Sequence, residues 1–552
     1  MSAARSSSSF WWSAGLCAVL LLALALRLHG IGSPIMDHPG WRQGDTAAIA
    51  RNFALRQFNI LYPQTTYNGP PPNYVELELQ IVPFIAATLY KIFGVHEIFG
   101  RLVTLAFSLA TVAVVSFFGR WMFTSALAGL VAGCFYAFFP GSVYYGRTFT
   151  PDCAMVFFLT GAIFVAARMF VESERIGWRE AASTTALLAM AYLAKPVAVL
   201  ALAPLLGLTW QRRRTLKRIE LLPLAAMVLV PIAVLWLYDR RVASYAEWHW
   251  ASGITRLHVL PSLAGAFASF AGFVQKCTEF RAALGMLRET MLGWISFLLT
   301  IAGFAALPWL PARSRPMLWM WLAGGLAYAF IVVSVERVDY YLFPLLPLCA
   351  LVVGGLLARF ARYVNGVDAA ATTRYALIGL VPLLVAAALL TSRAPVAAYY
   401  EYNRRAYSDA LQLDRRLAPG ALVVMGHYGP DLQYYIGRFG WEEDPLLWTP
   451  FDEESAIAKG ARYFISVEDN RLHRNVELCA WLQRFPLAGG DVQWPVYLTS
   501  PQHMVPNADA FWRAFRRAER AGHGRAFLDA QRVCQLSNKT RNASGDTAML
   551  PR

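Results

Sequence analysis

Two carboxylates, a histidine and an arginine follow the first long apolar run, in the segment Asp37-His-Pro-Gly-Trp-Arg-Gln-Gly-Asp45. A carboxylate beside a substrate hydroxyl or amine can take its proton as a general base. Each acid also has a structural interpretation. Asp37 precedes Pro39 and Gly40, where a carboxylate favours a turn, and Asp45 stands near the start of a helical pattern, where it could cap backbone N–H groups. The residue types leave both roles open.

The apolar run before these acids decides which side of a membrane they face. Phe10 to Leu28 is about long enough to cross a bilayer of roughly 30 Å, and Arg5 before it predicts a cytoplasmic start. The alternative is a secretory signal peptide, but the run is long for one and no small-residue cleavage site ends it. We therefore expect a retained first helix, with Asp37 and Asp45 on the extracytoplasmic side.

Further charged and aromatic residues recur at what the same alternation of spans predicts to be the outer membrane boundary. Any one of them could be an interface anchor, and acids that alternate with Val75 and Leu77 are typical of a solvated face. Asp152, however, opens an apolar run and needs a partner or a role. Together they predict a cavity with acids and bases, which suits an anionic lipid-linked substrate and its acceptor. The set is Tyr74, Glu76, Glu78, Arg101, Arg147, Asp152, Lys195, Glu336, Arg337, Asp339, Tyr340 and Tyr341.

Composition sets the class of protein. The chain has 552 residues, of which 57% are hydrophobic and 15% charged, far more apolar sequence than one soluble core needs. The net charge of +15 is spread over short basic clusters between apolar runs, which is typical of cytoplasmic loops and argues against nucleic-acid binding. The cysteines form no CxxC pair and predict no metal cage, although an oxidising compartment would allow a disulfide between Cys479 and Cys534.

The apolar runs predict a polytopic α-helical membrane protein with about eleven transmembrane helices over residues 1–391, including a first outer loop over 31–100. The run Leu79–Phe93 is interrupted by Gln80 and Pro83, so we expect a helix on the membrane surface. Counting it as a span would put the basic cluster 212–214 outside. The expected spans are Phe10–Leu28, Leu102–Phe118, Ala126–Tyr145, Ala154–Phe170, a run from Ala181, Val197–Trp210, Leu221–Tyr238, Gly293–Leu310, Met317–Val335, Leu342–Leu357 and Tyr375–Leu390.

Residues 392–552 change character and predict a soluble C-terminal α/β domain on the outer side. Ala421–Met425 and Arg462–Val467 are typical of buried strands, and Asp431–Arg438 of an amphipathic helix. The domain offers no nucleophile constellation or glycine-rich phosphate loop, so we expect it to gate the site or to recognise acceptor. The chain also shows no internal repeat, which counts against the usual transporter architectures.

In order and spacing these segments resemble the GT-C glycosyltransferases, in the group of the protein O-mannosyltransferases and the lipid A aminoarabinose transferase. The resemblance covers roughly residues 10–360. It rests on Asp37–Asp45 leading into Ala48–Arg51, on Glu78–Gly94, on Gly100-Arg101-Leu102, and on Tyr145–Arg147 followed by Pro151-Asp152, with weaker matches at Lys195-Pro196 and Tyr340–Pro344.

The resemblance implies transfer of a sugar from a polyprenyl (undecaprenyl) phosphate carrier to an extracytoplasmic acceptor such as lipid A, a glycan or a protein. An acid of the first loop would be the general base. The sequence departs from the adjacent Asp-Glu pattern of that family, because Asp37 is followed by His38 and Asp45 by Thr46. Position just after the first span favours Asp37, whereas proximity to the Ile-Ala-Arg helix favours Asp45.

The same resemblance assigns the remaining residues and the compartment. Arg101 and Lys195, with Arg337 third, would hold the carrier phosphate, while Glu78 and Asp152 would bind a divalent metal as cofactor or shape the pocket. The pocket would be lined by Arg42, Tyr74, Glu76, Arg147, Tyr340 and Tyr341. The protein would lie among the lipids of the bacterial inner membrane with its site and C-terminal domain in the periplasm. A transporter or flippase of lipid-linked sugars is the alternative.

Overall fold

The computed structural model describes residues 2–366, 371–488 and 494–500, together with 502, 512, 513, 516, 517 and 520. The chain divides into two compact units. We call the first the membrane unit (Met1–Ser33, Glu76–Tyr245 and His249–Tyr400) and the second the polar unit (Pro34–Val75, Ala246–Trp248 and Glu401–Arg552). The sequence-based division at residue 391 gave the whole first loop to the membrane domain; by its packing, Pro34–Val75 belongs with the C-terminal residues.

Helices dominate the described residues. In chain order they are α1 (Ser2–Arg27), α2 (Gly40–Leu55), α3 (Ile81–Phe93), α4 (Glu97–Met122), α5 (Ala126–Phe138), α6 (Pro140–Tyr145), α7 (Asp152–Glu172), α8 (Trp178–Ala194), α9 (Leu202–Arg212), α10 (Leu221–Ala243), α11 (Ala251–Ile254), α12 (Leu260–Ala268), α13 (Phe270–Met286), α14 (Trp294–Ala306), α15 (Arg315–Tyr328), α16 (Ser334–Glu336), α17 (Leu346–Gly366), α18 (Ala371–Thr391), α19 (Arg404–Arg416), α20 (Pro430–Ile436), α21 (Pro450–Ala458), α22 (Asp469–Leu472) and α23 (Val476–Leu482). Short 3₁₀ segments (Pro196–Ala201, Arg218–Glu220, Leu307–Trp309, Asp339–Leu345, Ala394–Tyr400) and π segments (Thr255–Val259, Leu287–Leu292, Ala329–Val333) join several of them.

The apolar helices agree with the predicted fold class, a polytopic α-helical membrane protein. Every apolar run expected to cross the membrane is helical. Among the described residues, seven helical segments are long and apolar enough to cross alone, and an eighth span is possible by length if the pair Phe270–Leu292 and Trp294–Trp309, bent by 112°, is counted as one. Helices α5, α8 and α9 are shorter, with 13, 17 and 11 residues.

Small residues let the helices of the membrane unit approach closely. A Cβ added at Gly129 in α5 would lie 2.4 Å from the carbonyl oxygen of Ser116 in α4, and one at Gly354 in α17 would lie 2.4 Å from that of Ala128. Such contacts are the usual way in which membrane helices gain packing energy where lipid supplies no hydrophobic drive. They fix α4, α5 and α17 against one another.

The segment before α3 differs from its sequence-based description. The alternation of acids with Val75 and Leu77 predicted a solvated face, but β1 (Val75–Glu76) is extended and pairs with β2 (Trp248–His249). Glu76 and Glu78 are only 1% and 7% exposed, so that interpretation is wrong. Helix α3 has 13 residues, too few to cross a bilayer that needs about 20.

The polar unit has the predicted α/β character. Its strands β3 (Leu422–Met425), β4 (Gly440–Glu442), β5 (Ala461–Ile465) and β6 (Val496–Leu498) form one sheet in the order β4-β3-β5-β6. β3 is parallel to β4 and β5, and β6 is antiparallel to β5. The core between sheet and helices contains Val424, Phe464, Trp481 and Tyr497. Cys479 is disulfide-bonded; Cys534, its expected partner, lies outside the described residues.

The predicted topology gives a labelling test. Exposed Cys17 and Cys277 are first replaced by alanine, and a single cysteine is then introduced at Arg213, next to the basic end of α9, or at exposed Asn59. Because positive loops stay in the cytoplasm, an impermeant thiol reagent applied from outside should label Asn59→Cys and spare Arg213→Cys. Labelling of Arg213→Cys in intact cells would contradict the orientation.

Candidate active site

Two buried guanidinium groups of the membrane unit converge on the chain just after α1. Nη1 of Arg101 donates to the carbonyl oxygen of Gly30 at 2.8 Å, and Nη1 of Arg147 donates to the same oxygen at 3.0 Å. Both arginines are fully buried. Gly30 has φ +67°, a conformation that glycine adopts without strain. The end of α1 is therefore tied to two cations that stand 46 residues apart in the sequence.

Aromatic rings cover the second of these cations. The guanidinium carbon of Arg147 lies 4.8 Å from the ring centroid of Tyr144 and 4.4 Å from that of Tyr400. Such stacking favours a cation without neutralising it. The two rings thus enclose the guanidinium of Arg147 in a buried position.

Lys195 and Asp152 form a buried ion pair. Nζ of Lys195 lies 2.6 Å from Oδ1 of Asp152, and the two residues are 7% and 1% exposed. Asp152 is the first residue of α7, and Lys195 is the C-cap that follows α8, directly before Pro196. The ammonium also lies 4.7 Å from the ring of Tyr340 and 4.5 Å from that of Tyr341. Because an ammonium has three donors, this pairing leaves Lys195 able to bind a further oxygen.

Asp339 connects the tyrosines of this region. Its two carboxylate oxygens accept hydrogen bonds from the hydroxyls of Tyr145, at 2.5 Å, and Tyr399, at 2.8 Å. The ring of Tyr145 also packs edge-on against Tyr340, with centroids 5.6 Å apart. The structure therefore brings together six residues that the sequence analysis selected, which we call the cation cluster: Arg101, Arg147, Asp152, Lys195, Tyr340 and Tyr341.

Arg337, the third phosphate candidate, lies outside this cluster. Its side chain is 64% exposed and Nη2 is 3.4 Å from Oε1 of Glu279 on α13. Its φ of +53° is uncommon for a residue with a side chain and turns the chain between α16 and the segment Asp339–Leu345. Arg337 is thus placed as a surface ion-pair partner, with Glu279 rather than its neighbour Asp339.

Glu76 connects the end of β1 to the segment after β2, at Ser252. Its carboxylate accepts hydrogen bonds from the backbone N–H of Ser252 at 3.2 Å and from the Ser252 hydroxyl at 3.1 Å. Burial, together with a hydrogen bond to Asp239, raises the pKa of Glu76 to about 7. The carboxyl group of Glu76 therefore holds the segment after β2 in place, which is a structural role.

The residues do not fit the metal that the resemblance implies. Oδ1 of Asp152 is in contact with an ammonium group, which a divalent cation would repel. Across the described ranges no three His, Cys, Asp or Glu side chains are grouped so that they could hold a metal ion. We derive no catalytic step from a metal at Glu78 and Asp152.

In the polar unit, Asp37 lies in the loop before α2. It is fully buried, and its Oδ1 accepts a hydrogen bond from Nε2 of Gln43 at 2.7 Å. The same Nε2 also donates to the Asp37 carbonyl oxygen at 3.0 Å. A single glutamine amide therefore fixes both the backbone and the carboxylate of Asp37, which gives the acid a defined orientation.

Asp45 has a different environment. Helix α2 begins at Gly40 with Pro39 as its N-cap, so Asp45 lies beyond the first turn and the capping interpretation is wrong. Its Oδ2 is 4.0 Å from Nη1 of Arg42. Burial and the neighbouring carboxylates of Asp45 and Glu442 raise the pKa of Tyr67 well above its usual value. Asp45 is thus part of a group of buried polar residues within the unit.

Two further acids complete that group. Burial raises the pKa of Glu442 on β4 well above its usual value, and the charges of Asp45 and Asp431 raise it further. Burial likewise raises the pKa of Asp431 at the start of α20. Helix α2 packs closely on this helix, since a Cβ on Gly44 would lie 2.4 Å from the Asp431 backbone nitrogen. The like charges of Asp45 and Asp431 favour the protonated form of Glu442.

This acid group predicts a pH-dependent stability. Because the folded-state pKa of Glu442 is raised, its contribution is fully present below the unfolded pKa near 4.5 and is lost as the pH rises through the folded value. Glu442→Gln should therefore stabilise the protein at neutral and alkaline pH and flatten the fall in melting temperature above pH 5. Thermal unfolding from pH 5 to 9 measures this, with Glu401→Gln, at an exposed glutamate, as control. A steeper fall in the Glu442 variant would contradict it.

Tyr74, expected in the substrate pocket, has neighbours within its own unit. Its hydroxyl donates to Oε1 of Gln57 at 2.8 Å, and its ring packs against Tyr62 with centroids 5.6 Å apart. Arg42, also expected in the pocket, is 6% exposed. Both are thus held by the fold of the first loop.

The sequence analysis missed several residues that organise the site. Arg27, in the last turn of α1, is fully buried and donates to Ser108, at 2.8 Å, and to Ser142, at 2.7 Å. A charge inside an apolar run was the available signal. Asp339 was noted only as one boundary charge, and Tyr399 and Glu442 carry no pattern in sequence that marks them.

The comparisons with known proteins agree with this architecture. Residues 80–238 match the sequence family described as dolichyl-phosphate-mannose-protein mannosyltransferase. The fold is similar to that of ArnT from Cupriavidus metallidurans bound to undecaprenyl phosphate, with 15% identity over 89% of this chain and 99% of that one and a TM-score of 0.53. It is also similar to the oligosaccharyltransferase AglB from Archaeoglobus fulgidus in complex with an inhibitory peptide and a dolichol-phosphate, with 13% identity over 91% and 75% of the two chains and a TM-score of 0.54. No curated protein matches the sequence.

These similarities confirm the resemblance that the motifs indicated. The chain has the GT-C fold, and its family match lies on the segment that carries Arg101, Arg147, Asp152 and Lys195. Together they support a membrane glycosyltransferase as the general kind of protein.

Proposed function

We propose that this protein transfers a sugar from a polyprenyl phosphate carrier to an acceptor outside the cytoplasm, such as lipid A, a glycan or a protein. The observation that carries the proposal is the cation cluster. Three buried cations, Arg101, Arg147 and Lys195, stand among tyrosines, and Lys195 is paired with Asp152. A phosphate group joined to a sugar and a lipid is a ligand that such a set would bind.

The chemistry follows from the leaving group. When the bond between the anomeric carbon and the phosphate oxygen breaks, that oxygen takes the electron pair and polyprenyl phosphate departs with increased negative charge. Positioned cations stabilise this charge more than they stabilise the bound donor. Lys195, with donors left after its bond to Asp152, is the cation we assign to the departing oxygen, and Arg101 and Arg147 hold the region around it.

The acceptor must lose a proton as its oxygen or nitrogen forms the new bond to the sugar. We assign this proton to Asp37 rather than Asp45. The carboxylate of Asp37 is oriented by Gln43, whereas Asp45 lies among Tyr67 and Glu442 and serves the packing of its own unit. A general base must be held in a fixed orientation toward the proton that it takes, and the Gln43 amide fixes the orientation of this carboxylate.

The competing function is movement of an intact lipid-linked sugar across the membrane. A purified, full-length preparation is incubated with a polyprenyl phosphate sugar labelled in the sugar, together with a membrane extract as acceptor source. Free polyprenyl phosphate and a newly labelled acceptor in equal amounts support the transferase. Appearance of intact donor in the opposite leaflet of proteoliposomes without bond cleavage would overturn it.

Arg101 gives a variant that separates the two functions. Because the cation acts more on the transition state than on the bound donor, Arg101→Ala should lower the turnover number by more than it weakens donor binding. A transporter would lose transport mainly through affinity. Turnover and donor binding are measured on the same preparation, and Arg337→Ala, at the surface ion pair with Glu279, is the matched control that should leave both close to wild type.

A further inference from the structure

A second basic cavity lies at the opposite end of the membrane unit's helices, where α4 and α7 end. It has a volume of about 830 Å³. Three arginines from three separate segments line it: Arg120 in the last turn of α4, Arg168 in α7, and Arg313 in the loop before α15. By the positive-inside rule this end faces the cytoplasm. The cavity lies where α4 and α7 end, whereas Arg101 and Asp152 of the cation cluster lie near the starts of the same helices.

The cavity carries a net positive charge. One acid, Glu172, approaches the arginines, with an oxygen 3.0 Å from Nε of Arg168 and another 3.6 Å from Nη1 of Arg313. Trp121 also donates its indole N–H to Glu172. Among the residues that the structure describes, this one carboxylate stands against the three guanidinium groups that line the cavity, so the positive charge is in excess; Arg168 and Arg313 remain 56% and 35% exposed.

A helix N-terminus adds to this charge. The 13-residue helix α5 begins at the cavity, where Ser125 and Ala126 are part of its lining. Ser125 caps the helix by accepting from the Ala128 N–H at 3.3 Å, and Thr124 before it has φ +47°. The first backbone N–H groups of a helix favour a phosphate through their partial positive charge. Here that end is combined with three arginines on neighbouring segments.

Apolar side chains continue the cavity toward the lipid. Phe117 and Phe164 line it, and Phe117 is 44% exposed. Trp121, a residue type that favours the depth of lipid head groups, stands between the aromatic wall and Glu172, and the guanidinium of Arg313 lies 5.2 Å from its ring. A ligand that fits has an anionic head beside an apolar body.

We infer that this cavity binds the phosphodiester head group of an anionic phospholipid from the cytoplasmic leaflet, with its acyl chains along Phe117 and Phe164. Basic pockets between transmembrane helices on the cytoplasmic side are suited to such head groups. A free phosphate ion would use the arginines but leave the aromatic wall without a partner. The site is independent of the proposed reaction and depends only on the orientation of the helices.

The test uses native mass spectrometry of the full-length protein in detergent, titrated with phosphatidylglycerol or with phosphatidylcholine of the same chains. We expect phosphatidylglycerol to bind selectively and Arg168→Gln/Arg313→Gln to weaken it about 30-fold, because each basic residue near a lipid surface contributes about a factor of five. Arg168→Lys/Arg313→Lys keeps the charges and should retain most of the binding. Melting curves of each variant show that it is folded.

The matched control removes the same charge at the same end of the unit. Arg359 and Arg362, both exposed on α17, do not line the cavity, so Arg359→Gln/Arg362→Gln should bind phosphatidylglycerol as the wild type does. Equal loss in both double variants would overturn the site in favour of general surface charge. Displacement of phosphatidylglycerol by equimolar inorganic phosphate would assign the cavity to a free anion and overturn the lipid.

Discussion

Asp37→Asn is expected to lower the rate of sugar transfer by about 10² to 10⁴, the usual range for loss of a general base. Asparagine keeps the size of the side chain and can still bond to Gln43, which holds the carboxylate at 2.7 Å in the wild type. What it loses is the ability to take the acceptor's proton. The measurement is the single-turnover rate at saturating donor, in which chemistry is separated from release of product.

Asp45→Asn is the matched comparison, since both acids are fully buried in the same unit. It removes one of the charges that raise the pKa of Glu442, so we expect a shift in the pH dependence of stability and a change of less than about tenfold in rate. If Asp45→Asn abolished transfer while Asp37→Asn left it near wild type, the two assignments would have to be exchanged. Wild-type rates in both would remove the first loop from the chemistry.

The helical architecture could be predicted because it depends on patterns that are continuous in sequence. Each apolar run that was expected to span is helical, since a bilayer imposes both length and composition on its helices. The structure of the segment before α3 could not be predicted, because the burial of Glu76 depends on Ser252, which lies 176 residues later. Without that partner, an acid that alternates with apolar residues has the pattern of a solvated face.

For the candidate site, the sequence likewise allowed some features to be predicted and not others. Arg101, Arg147, Asp152 and Lys195 could be selected because charges at the ends of apolar runs are costly without a function or a partner. Their mutual arrangement could not be predicted, since the Asp152–Lys195 pair joins the start of α7 to the residue that follows α8. Arg337 shows the converse: it shares the position in sequence, at the end of an apolar run, but its side chain bonds to Glu279 at the surface.

The Lys195–Asp152 pair gives the second large effect, on stability and on rate. Lys195→Met should destabilise the protein by about 3–5 kcal/mol, because it leaves the carboxylate of Asp152 buried without its counter-charge. The double variant Lys195→Met/Asp152→Asn removes both charges and should recover most of that stability. If Lys195 also stabilises the departing phosphate, the double variant should still turn over about 10² to 10³ times more slowly than the wild type.

A second buried pair makes the comparison decisive. Arg212 and Glu220 are 3.1 Å apart and 8% and 2% exposed. Arg212 is the last residue of α9, and Glu220 ends the 3₁₀ segment before α10. Arg212→Met should be destabilising for the same reason as Lys195→Met, and Arg212→Met/Glu220→Gln should recover both stability and transfer. A Lys195→Met/Asp152→Asn protein with wild-type turnover would show that Lys195 acts only in folding, and the leaving-group role would then pass to Arg101 and Arg147.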